Sequence, residues 1–149
     1  MTLGKLFVNG RVGRRQIRGM NREKQYLDMM NQWLILKHEG KGIEGYLQHK
    51  GYRSIAIYGM AVYGRHVVRE LQGTGVAIAY GIDQKKMKPY KGVKVLQPTG
   101  ELPHADVIIN TVIHDHMNIK TTLSGITDIP VIGLEDVVFD SYDWGNQNG

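Results

Sequence analysis

From residue 53 onward, short apolar runs alternate with segments whose apolar residues recur at helical spacing. Five runs predict β-strands, at residues 55–58, 76–82, 93–96, 107–113 and 130–134. The segments 64–71 and 115–124 place apolar side chains three and four positions apart, which predicts helices. The order β-α-β-β-β-α-β over residues 52–139 predicts a three-layer α/β fold, with a five-stranded parallel sheet in the order 3-2-1-4-5 and right-handed crossovers.

The second apolar run alternates bulky and small residues. Its bulky residues are expected on one face of the strand, because side chains two positions apart point the same way; they are Val76, Ile78, Tyr80 and Ile82. The run at 107–113 is apolar almost throughout, which is typical of a parallel strand covered on both faces. We therefore expect helices on both sides of the sheet.

A further helical pattern, at residues 21–38, precedes the sheet. Asn21 is a candidate N-cap. The apolar stripe of this helix consists of Tyr26, Leu27, Met30, Trp33 and Leu34, widened by Met29, Ile35 and Leu36. Two interpretations fit such a width: a helix packed deeply on the domain, or one that also contacts a second copy or another protein. With a short second helix, it forms a predicted helical extension over residues 21–51. Residues 140–149 are expected to form a loose, polar tail.

The segment that joins the first strand to its helix, here termed the glycine turn, differs by one residue from the dinucleotide-binding pattern G-x-G-x-x-G. It consists of Gly59, Met60, Ala61, Val62, Tyr63 and Gly64. Gly59 can adopt the backbone angles of a tight turn, and Gly64 permits close packing of helix on strand. The N–H groups near Ala61 would point at an anion, assisted by the helix dipole. These features predict a Rossmann-like nucleotide site. The methyl group of Ala61 would hold a phosphate further away than glycine does.

Three more residues complete the expected site. Asp83 ends the second strand about 20 residues beyond Gly64, which is the spacing of the acid that binds ribose in such folds. Asn110 and Thr111 lie in the fourth predicted strand, beside the first. Ligands of open α/β sheets bind at the carboxyl ends of the strands, where the strand order reverses. We therefore expect all three residues to border the glycine turn.

These motifs together resemble a known group of proteins. The segments 55–64, 80–83, 92–95 and 106–109 are similar to the small NAD(P)-binding Rossmann-like domains of bacterial nucleotide-sugar and capsular-polysaccharide biosynthesis proteins. The likeness covers about residues 43–138. It implies that the glycine turn and Asp83 face a nucleotide, and that the chain acts in bacterial surface-polysaccharide or nucleotide-sugar metabolism.

The expected ligand is a nucleotide. NAD is favoured over NADP, because the carboxylate of Asp83 would accept bonds from a ribose diol and repel a 2′-phosphate. A UDP-sugar and coenzyme A are the alternatives. No metal is expected: His114, Asp115 and His116 are potential ligands, but no further acid or histidine at motif spacing completes a site. We expect Asp115 to cap the following helix and the two histidines to line the crevice.

Charge and composition narrow the possible partners. The whole chain has a formal net charge of +5, and residues 1–25 contain seven basic residues against one acidic residue. Residues 1–20 therefore predict a flexible basic arm that could meet an anionic surface. Nucleic acid is not an expected partner, because Phe7 is the one aromatic residue of the arm.

The absence of cysteine excludes disulfides and cysteine nucleophiles. Because no apolar run approaches the ~20 residues of a membrane span, we expect a cytoplasmic protein.

Three functional hypotheses follow from these features. The first is a nucleotide-binding module without chemistry of its own, acting as a sensor or accessory subunit, because we expect no catalytic domain and no catalytic pair. The second is a minimal sugar-nucleotide oxidoreductase or epimerase that a partner chain completes. The third is a protein-interaction domain with an empty crevice, in which the basic arm binds a polyanion.

Overall fold

A computed structural model describes residues 21–148, and the predicted basic arm at residues 1–20 lies outside the described residues. The elements in chain order are α1 (Arg22–His38), α2 (Glu44–His49), β1 (Ser54–Tyr58), α3 (Val62–Leu71), β2 (Ala77–Ile82), β3 (Val95–Leu96), β4 (Val107–Asn110), α4 (His116–Ser124), β5 (Val131–Gly133) and α5 (Leu134–Asn148). A short 3₁₀ helix, Ile113–Asp115, connects β4 to α4. The fourth strand therefore ends three residues earlier than its apolar run.

The five strands form one parallel sheet in the order β3-β2-β1-β4-β5. This order confirms the predicted α/β fold. β1 lies at the centre, between β2 and β4. The connection from β3 to β4 leads from one side of β1 to the other. The carboxyl ends of β1, β2 and β4 consequently meet at one edge, where the strand order reverses.

A bulge in β2 changes the direction in which its side chains point. Ile55 pairs with Ile78, but the next residue of β1, Ala56, pairs with Tyr80, so Ala79 is an extra residue in the ladder. Ile78 therefore packs with the core on the α3 side of the sheet, whereas Tyr80 packs with the core on the α4 side. The prediction that the four bulky residues of this strand share one face is wrong, because an inserted residue reverses every side chain after it.

Each face of the sheet carries its own apolar core. Ile57 and Ile109 pack on one face with residues of α1, α2, α3 and α5, and they belong to the larger core. Ala56 and Ile108 face the other way and pack with Leu123 of α4. Within residues 21–148, α1, α2, α3 and α5 thus lie on one side of the sheet, and α4 lies on the other.

α1 is packed into the larger core and also leaves an apolar face uncovered. Asn21 caps the helix as predicted, since its Oδ1 accepts a 2.8 Å bond from the backbone N–H of Lys24. The buried face consists of Gln25, Met29, Trp33 and Leu36. Leu27 and Leu34 belong to the predicted stripe but are 68% and 53% exposed. Of the predicted stripe, Trp33 therefore belongs to the core, whereas Leu27 and Leu34 lie at the surface.

α5 extends through residues that were expected to form a loose tail. The helix continues to Asn148, so the prediction for residues 140–148 is wrong. Ser141 and Gly145 are buried in it, and the ring of Trp144 stacks on His49 of α2 at a centroid distance of 5.7 Å. Because the buried residues of this segment are small or polar, its pattern gave no sign of a packed helix.

Candidate functional site

The glycine turn lies at the carboxyl end of β1. Gly59 has φ of 89°, a left-handed conformation that glycine adopts without a Cβ penalty. A Cβ at Gly59 would collide with the hydroxyl of Thr111, and a Cβ at Gly64 would collide with the carbonyl oxygen of Gly59. The two glycines thus allow the tight turn and bring α3 against β1.

The amino terminus of α3 presents backbone donors that no side chain caps. The first bond of this helix runs from the N–H of Arg65 to the carbonyl of Ala61, at 3.1 Å. The N–H groups of Val62, Tyr63 and Gly64 precede this bond and have no partner within the helix. Ala61 provides no capping side chain, and the first turn contains no acidic residue. Because Ala61 and Val62 are exposed, the positive end of the helix dipole is open to an anion.

Asp83 holds the turn in place. Its Oδ2 accepts a 2.9 Å bond from the N–H of Met60, and its Oδ1 accepts a 2.9 Å bond from the N–H of Lys85. The side chain of Met60 is buried and lies against Gly81 of β2. The sequence placed Asp83 beside the turn but gave no sign of the bond to Met60. Since a carboxylate oxygen can accept more than one bond, Asp83 remains able to bind a hydroxyl group.

Asn110 and Thr111 are buried, and their polar atoms bond within the protein. The hydroxyl of Thr111 lies 2.9 Å from the carbonyl oxygen of Tyr58 and 2.8 Å from that of Gly59. The side-chain amide of Asn110 donates to the carbonyl of Val112 at 3.2 Å, and its Oδ1 accepts from the N–H of the same residue at 2.9 Å. Thr111 therefore borders the turn and connects it to the end of β4, whereas the side chain of Asn110 bonds to the segment that follows β4.

α1 covers the β4 side of the crevice. The ring of Tyr26 stacks on that of Tyr63 at a centroid distance of 4.6 Å, and its hydroxyl lies 2.9 Å from Nδ1 of His114 and 3.4 Å from the carbonyl of Thr111. Burial raises the pKa of the Tyr26 hydroxyl above its ordinary value, so the group stays protonated. The amide of Gln25 adds a 3.4 Å bond to the carbonyl of Ile113.

Because α1 covers the β4 side of the crevice, the β2 side is the more open of the two. Tyr26 fills the space between the glycine turn and the end of β4, whereas Asp83 remains only partly buried on the β2 side. The sequence did not predict that α1 lies over the crevice, because Tyr26 and Gln25 contact residues more than 80 positions further along the chain. The one signal was a glutamine beside a tyrosine on an apolar face.

The segment His114-Asp115-His116 serves the connection between β4 and α4. His114 is bonded to Tyr26, and Nδ1 of His116 lies 3.1 Å from Nδ2 of Asn110. Asp115 occupies the N-cap position of α4 but makes no capping bond; its Oδ1 accepts a 2.7 Å bond from Nδ2 of Asn118. The prediction that Asp115 caps α4 is therefore wrong. The carboxylate of Asp115 bonds to the side chain of Asn118 instead of to a backbone N–H group. Within residues 21–148, no group of three or more His, Asp and Glu side chains could hold a metal ion.

In the described part of the chain, cavities also lie away from the glycine turn. One, of about 520 Å³, is a groove between α1 and α3. Another, of about 490 Å³, is bordered by α2, α4 and α5 and is lined by Tyr46, Lys50 and Asp140 among others. Tyr46 and Lys50 are four positions apart, which is the Tyr-x-x-x-Lys spacing of a catalytic pair, so the expectation that the sequence contains no such pair is wrong. The hydroxyl of Tyr46 donates to Oδ2 of Asp140 at 3.1 Å, which ties α2 to α5.

Comparisons of the chain with protein-family models, with curated proteins and with solved structures give no match. Among the described helices, none is both long enough and apolar enough to cross a membrane. The functional assignment therefore depends on the geometry of the site.

Proposed function

We propose that the chain is a nucleotide-binding module whose glycine turn holds the phosphates of its ligand. The observation that carries this proposal is the uncapped amino terminus of α3 at the point where the strand order reverses. The backbone N–H groups of Val62, Tyr63 and Gly64 are donors suited to a diphosphate. Gly59, Gly64 and Asp83 hold these donors in position before any ligand arrives.

The nucleoside of the ligand would lie on the β2 side of the turn. Asp83 lies on that side, and its carboxylate would accept a bond from a ribose hydroxyl, which supports a preference for NAD over NADP. Lys85, Lys86 and Lys88 are exposed in the loop that follows and would blunt this preference through attraction to a further phosphate. A UDP-sugar and coenzyme A remain candidate ligands, because each carries a nucleoside diphosphate.

The position of α1 over the β4 side of the crevice supports a module that binds a nucleotide and catalyses no reaction. The second half of a dinucleotide would extend past Tyr63 toward β4, where Tyr26 is stacked. A sensor or accessory subunit needs only the nucleoside diphosphate half, whereas an oxidoreductase must expose the reactive half to a substrate. On the resemblance of the sequence, we assign this module to bacterial nucleotide-sugar or surface-polysaccharide metabolism in the cytoplasm.

A thermal-shift comparison of ADP, NAD, NADP, coenzyme A and UDP-sugars tests this function. A ligand that binds the native state raises the unfolding temperature, by an amount that grows with RT ln(1 + [L]/Kd). We expect ADP and NAD to bind with affinities within about threefold of each other, which corresponds to less than ~1 kcal/mol. NAD binding more than about tenfold tighter than ADP would favour the oxidoreductase hypothesis. No shift with any of these ligands would contradict the proposal.

A matched pair of charge variants locates the ligand. Val62→Asp adds a carboxylate in the first turn of α3, at a side chain that is 60% exposed. Met117→Asp adds the same charge in the first turn of α4, at a side chain that is 70% exposed. Both variants should fold, since an acid in the first helical turn is stabilising. Only Val62→Asp should weaken nucleotide binding, by at least tenfold in calorimetry; equal affinities for both variants would exclude the glycine turn.

A further inference from the structure

α1 and α3 run side by side in the same direction, and a groove of about 520 Å³ lies between them. Tyr26 stacks on Tyr63 at 4.6 Å, and the indole N–H of Trp33 donates to the carboxylate of Glu70 at 2.8 Å. The second contact lies seven positions after the first in both helices, so the two helices advance together. The groove therefore follows two parallel helices for about two turns, or roughly 10 Å.

The groove is apolar in its centre. Leu27 and Leu34 stand seven positions apart on α1, Met30 lies between them, and all three line the groove. In the described part of the chain, the large apolar residues that are exposed are these two leucines, Val62 and Met117. Two of the four thus lie along one groove, which is typical of an interaction surface.

The exposed charges in the lining of the groove are cationic. Lys37 of α1 has a side chain that is 51% exposed, and Arg69 of α3 is also exposed. Glu70 is the acid among the described residues of the lining, and its side chain is only 7% exposed. Its carboxylate is engaged by the indole N–H of Trp33, the N–H of Ile43 at 2.6 Å and Nζ of Lys37 at 3.4 Å. An occupant of the groove would therefore meet two exposed cations and a shielded acid.

The positive charge continues behind Arg69. The rings and chains are close here, because Arg65 and Arg69 lie over the ring of Tyr90 at 4.9 and 5.6 Å, which brings the segment after β2 against α3. Residues 21–149 contain basic and acidic residues in equal number, but residues 65–94 contain two acids, Glu70 and Asp83, both bonded to N–H groups. The same stretch contains seven basic residues, which are Arg65, Arg69, Lys85, Lys86, Lys88, Lys91 and Lys94. This side of the groove consequently attracts an anionic partner.

We propose that the groove binds an amphipathic helix of another protein, one that carries acidic residues beside its apolar face. Two parallel helices offer a straight groove to a third, and apolar residues at positions i, i+3 and i+7 of the partner match the spacing of Leu27, Met30 and Leu34. Carboxylates at the flank of that helix would pair with Lys37 and Arg69.

Shape and charge favour this occupant over the others. A concave groove admits a helix but not the flat surface of a bilayer, and its apolar centre offers nothing to the phosphates of a nucleic acid. Residues 1–20 contain basic residues and no acidic ones, and a second copy of the chain would present the same two cations. Neither of these complements the charges of Lys37 and Arg69.

A matched pair of synthetic peptides tests the charge of the partner. Both are helical peptides of about five turns with leucine at positions i, i+3 and i+7, and the positions that flank this face are glutamate in one and lysine in the other. We expect the full chain to bind the glutamate peptide at micromolar concentration in calorimetry. The lysine peptide should bind at least about tenfold more weakly, because like charges then meet at the rim. Equal affinities, or no binding of the glutamate peptide at ~1 mM, would overturn the proposal.

Two pairs of variants locate the peptide. Arg69→Glu should weaken binding of the glutamate peptide by about tenfold or more and strengthen binding of the lysine peptide. Lys120→Glu is its control, since it makes the same change of net charge at an exposed site of α4, and it should change both affinities by less than about twofold. Leu34→Asp should also weaken the glutamate peptide at least about tenfold, whereas Met117→Asp, at an exposed apolar residue of α4, should not. Equal effects within either pair would show attraction to net charge alone and would overturn the proposal.

Sedimentation and vesicle binding of the full chain test the other occupants. We expect a monomer at ~200 µM and no binding to vesicles of phosphatidylserine that depends on the groove. A dimer that Leu34→Asp dissociates would show that a second copy fills the groove. Vesicle binding that Leu34→Asp abolishes would show that a membrane covers it. Either result would overturn the proposal, whereas nucleotide affinity, measured separately, reports on the proposed function and not on this groove.

Discussion

At the scale of single residues, Gly64 determines how closely α3 approaches β1. A Cβ at this position would meet the backbone carbonyl of Gly59, and it would lie 3.3 Å from the sulfur of Met60. The backbone atom has no freedom to move away, so the helix itself must shift. The separation between the turn and the helix amides therefore depends on the absence of one methyl group.

Gly64→Ala should destabilise the protein by about 1–3 kcal/mol, because overpacking outweighs the gain of ~1 kcal/mol that alanine gives in a helix. Gly125→Ala is the matched control. Its Cβ would lie 3.4 Å from the carbonyl of Thr122, and Gly125 has φ of −77°, so the free energy of unfolding should change by less than about 0.5 kcal/mol. Urea denaturation measures both variants. Equal stabilities would show that α3 does not pack closely on β1.

Asp106, directly before β4, connects the amino end of that strand to the amino end of β1, and this connection depends on pH. Its Oδ2 accepts bonds from the N–H groups of Arg53 and Ser54, at 2.9 and 3.0 Å, where β1 begins. These two N–H groups hold the pKa of the Asp106 carboxyl below its ordinary value of 3.8. The folded state therefore favours the ionised carboxylate.

The sign of the pH effect follows from this lowered pKa. The contribution of Asp106 to stability is fully present above the ordinary pKa of 3.8 and is lost as pH falls through the lower pKa of the folded state. We expect the wild type to be more stable than Asp106→Asn near neutral pH, and the difference to shrink below pH 3.8. Denaturation curves over a pH series measure it. A difference that is constant with pH would contradict the role of the carboxylate.

At the scale of elements, α1 is the helix whose packing most affects the site. Met29 is fully buried in the larger core, whereas Leu27, two residues earlier, is at the surface. The apolar residues cover more than half of the circumference of the helix, so their spacing could not show which of them face the sheet. The buried face became evident only from the contacts of α1 with α3, with α5 and with the 3₁₀ helix that follows β4.

Met29→Ala should lower the free energy of unfolding by about 2–5 kcal/mol, because it leaves a cavity in the core. Met117→Ala removes the same atoms from a side chain that is 70% exposed, and it should change stability by less than about 0.5 kcal/mol. Thermal melts followed by circular dichroism compare the two variants. If Met29→Ala unfolds like the control, α1 is a docking element and not part of the core.

At the scale of the whole molecule, the sheet order was predictable and the shape of the crevice was not. The alternation of elements and the right-handed crossover rule leave few arrangements for five parallel strands, so the order followed from the sequence. The positions of Gly59, Gly64 and Asp83 followed from their spacing. The bulge at Ala79 and the stack of Tyr26 on Tyr63 depend on contacts between distant residues, which no local pattern contains.

Backbone NMR during a titration with ADP tests the nucleotide site most directly, because it observes the proposed N–H donors themselves. We predict that the largest changes in amide shifts occur at Val62, Tyr63 and Gly64, followed by Asp83 and Lys85 on the β2 side. The amides of residues 111–114, beneath Tyr26, should change little. Changes confined to other parts of the chain, or no change at millimolar ADP, would contradict the assignment of the glycine turn as the phosphate site.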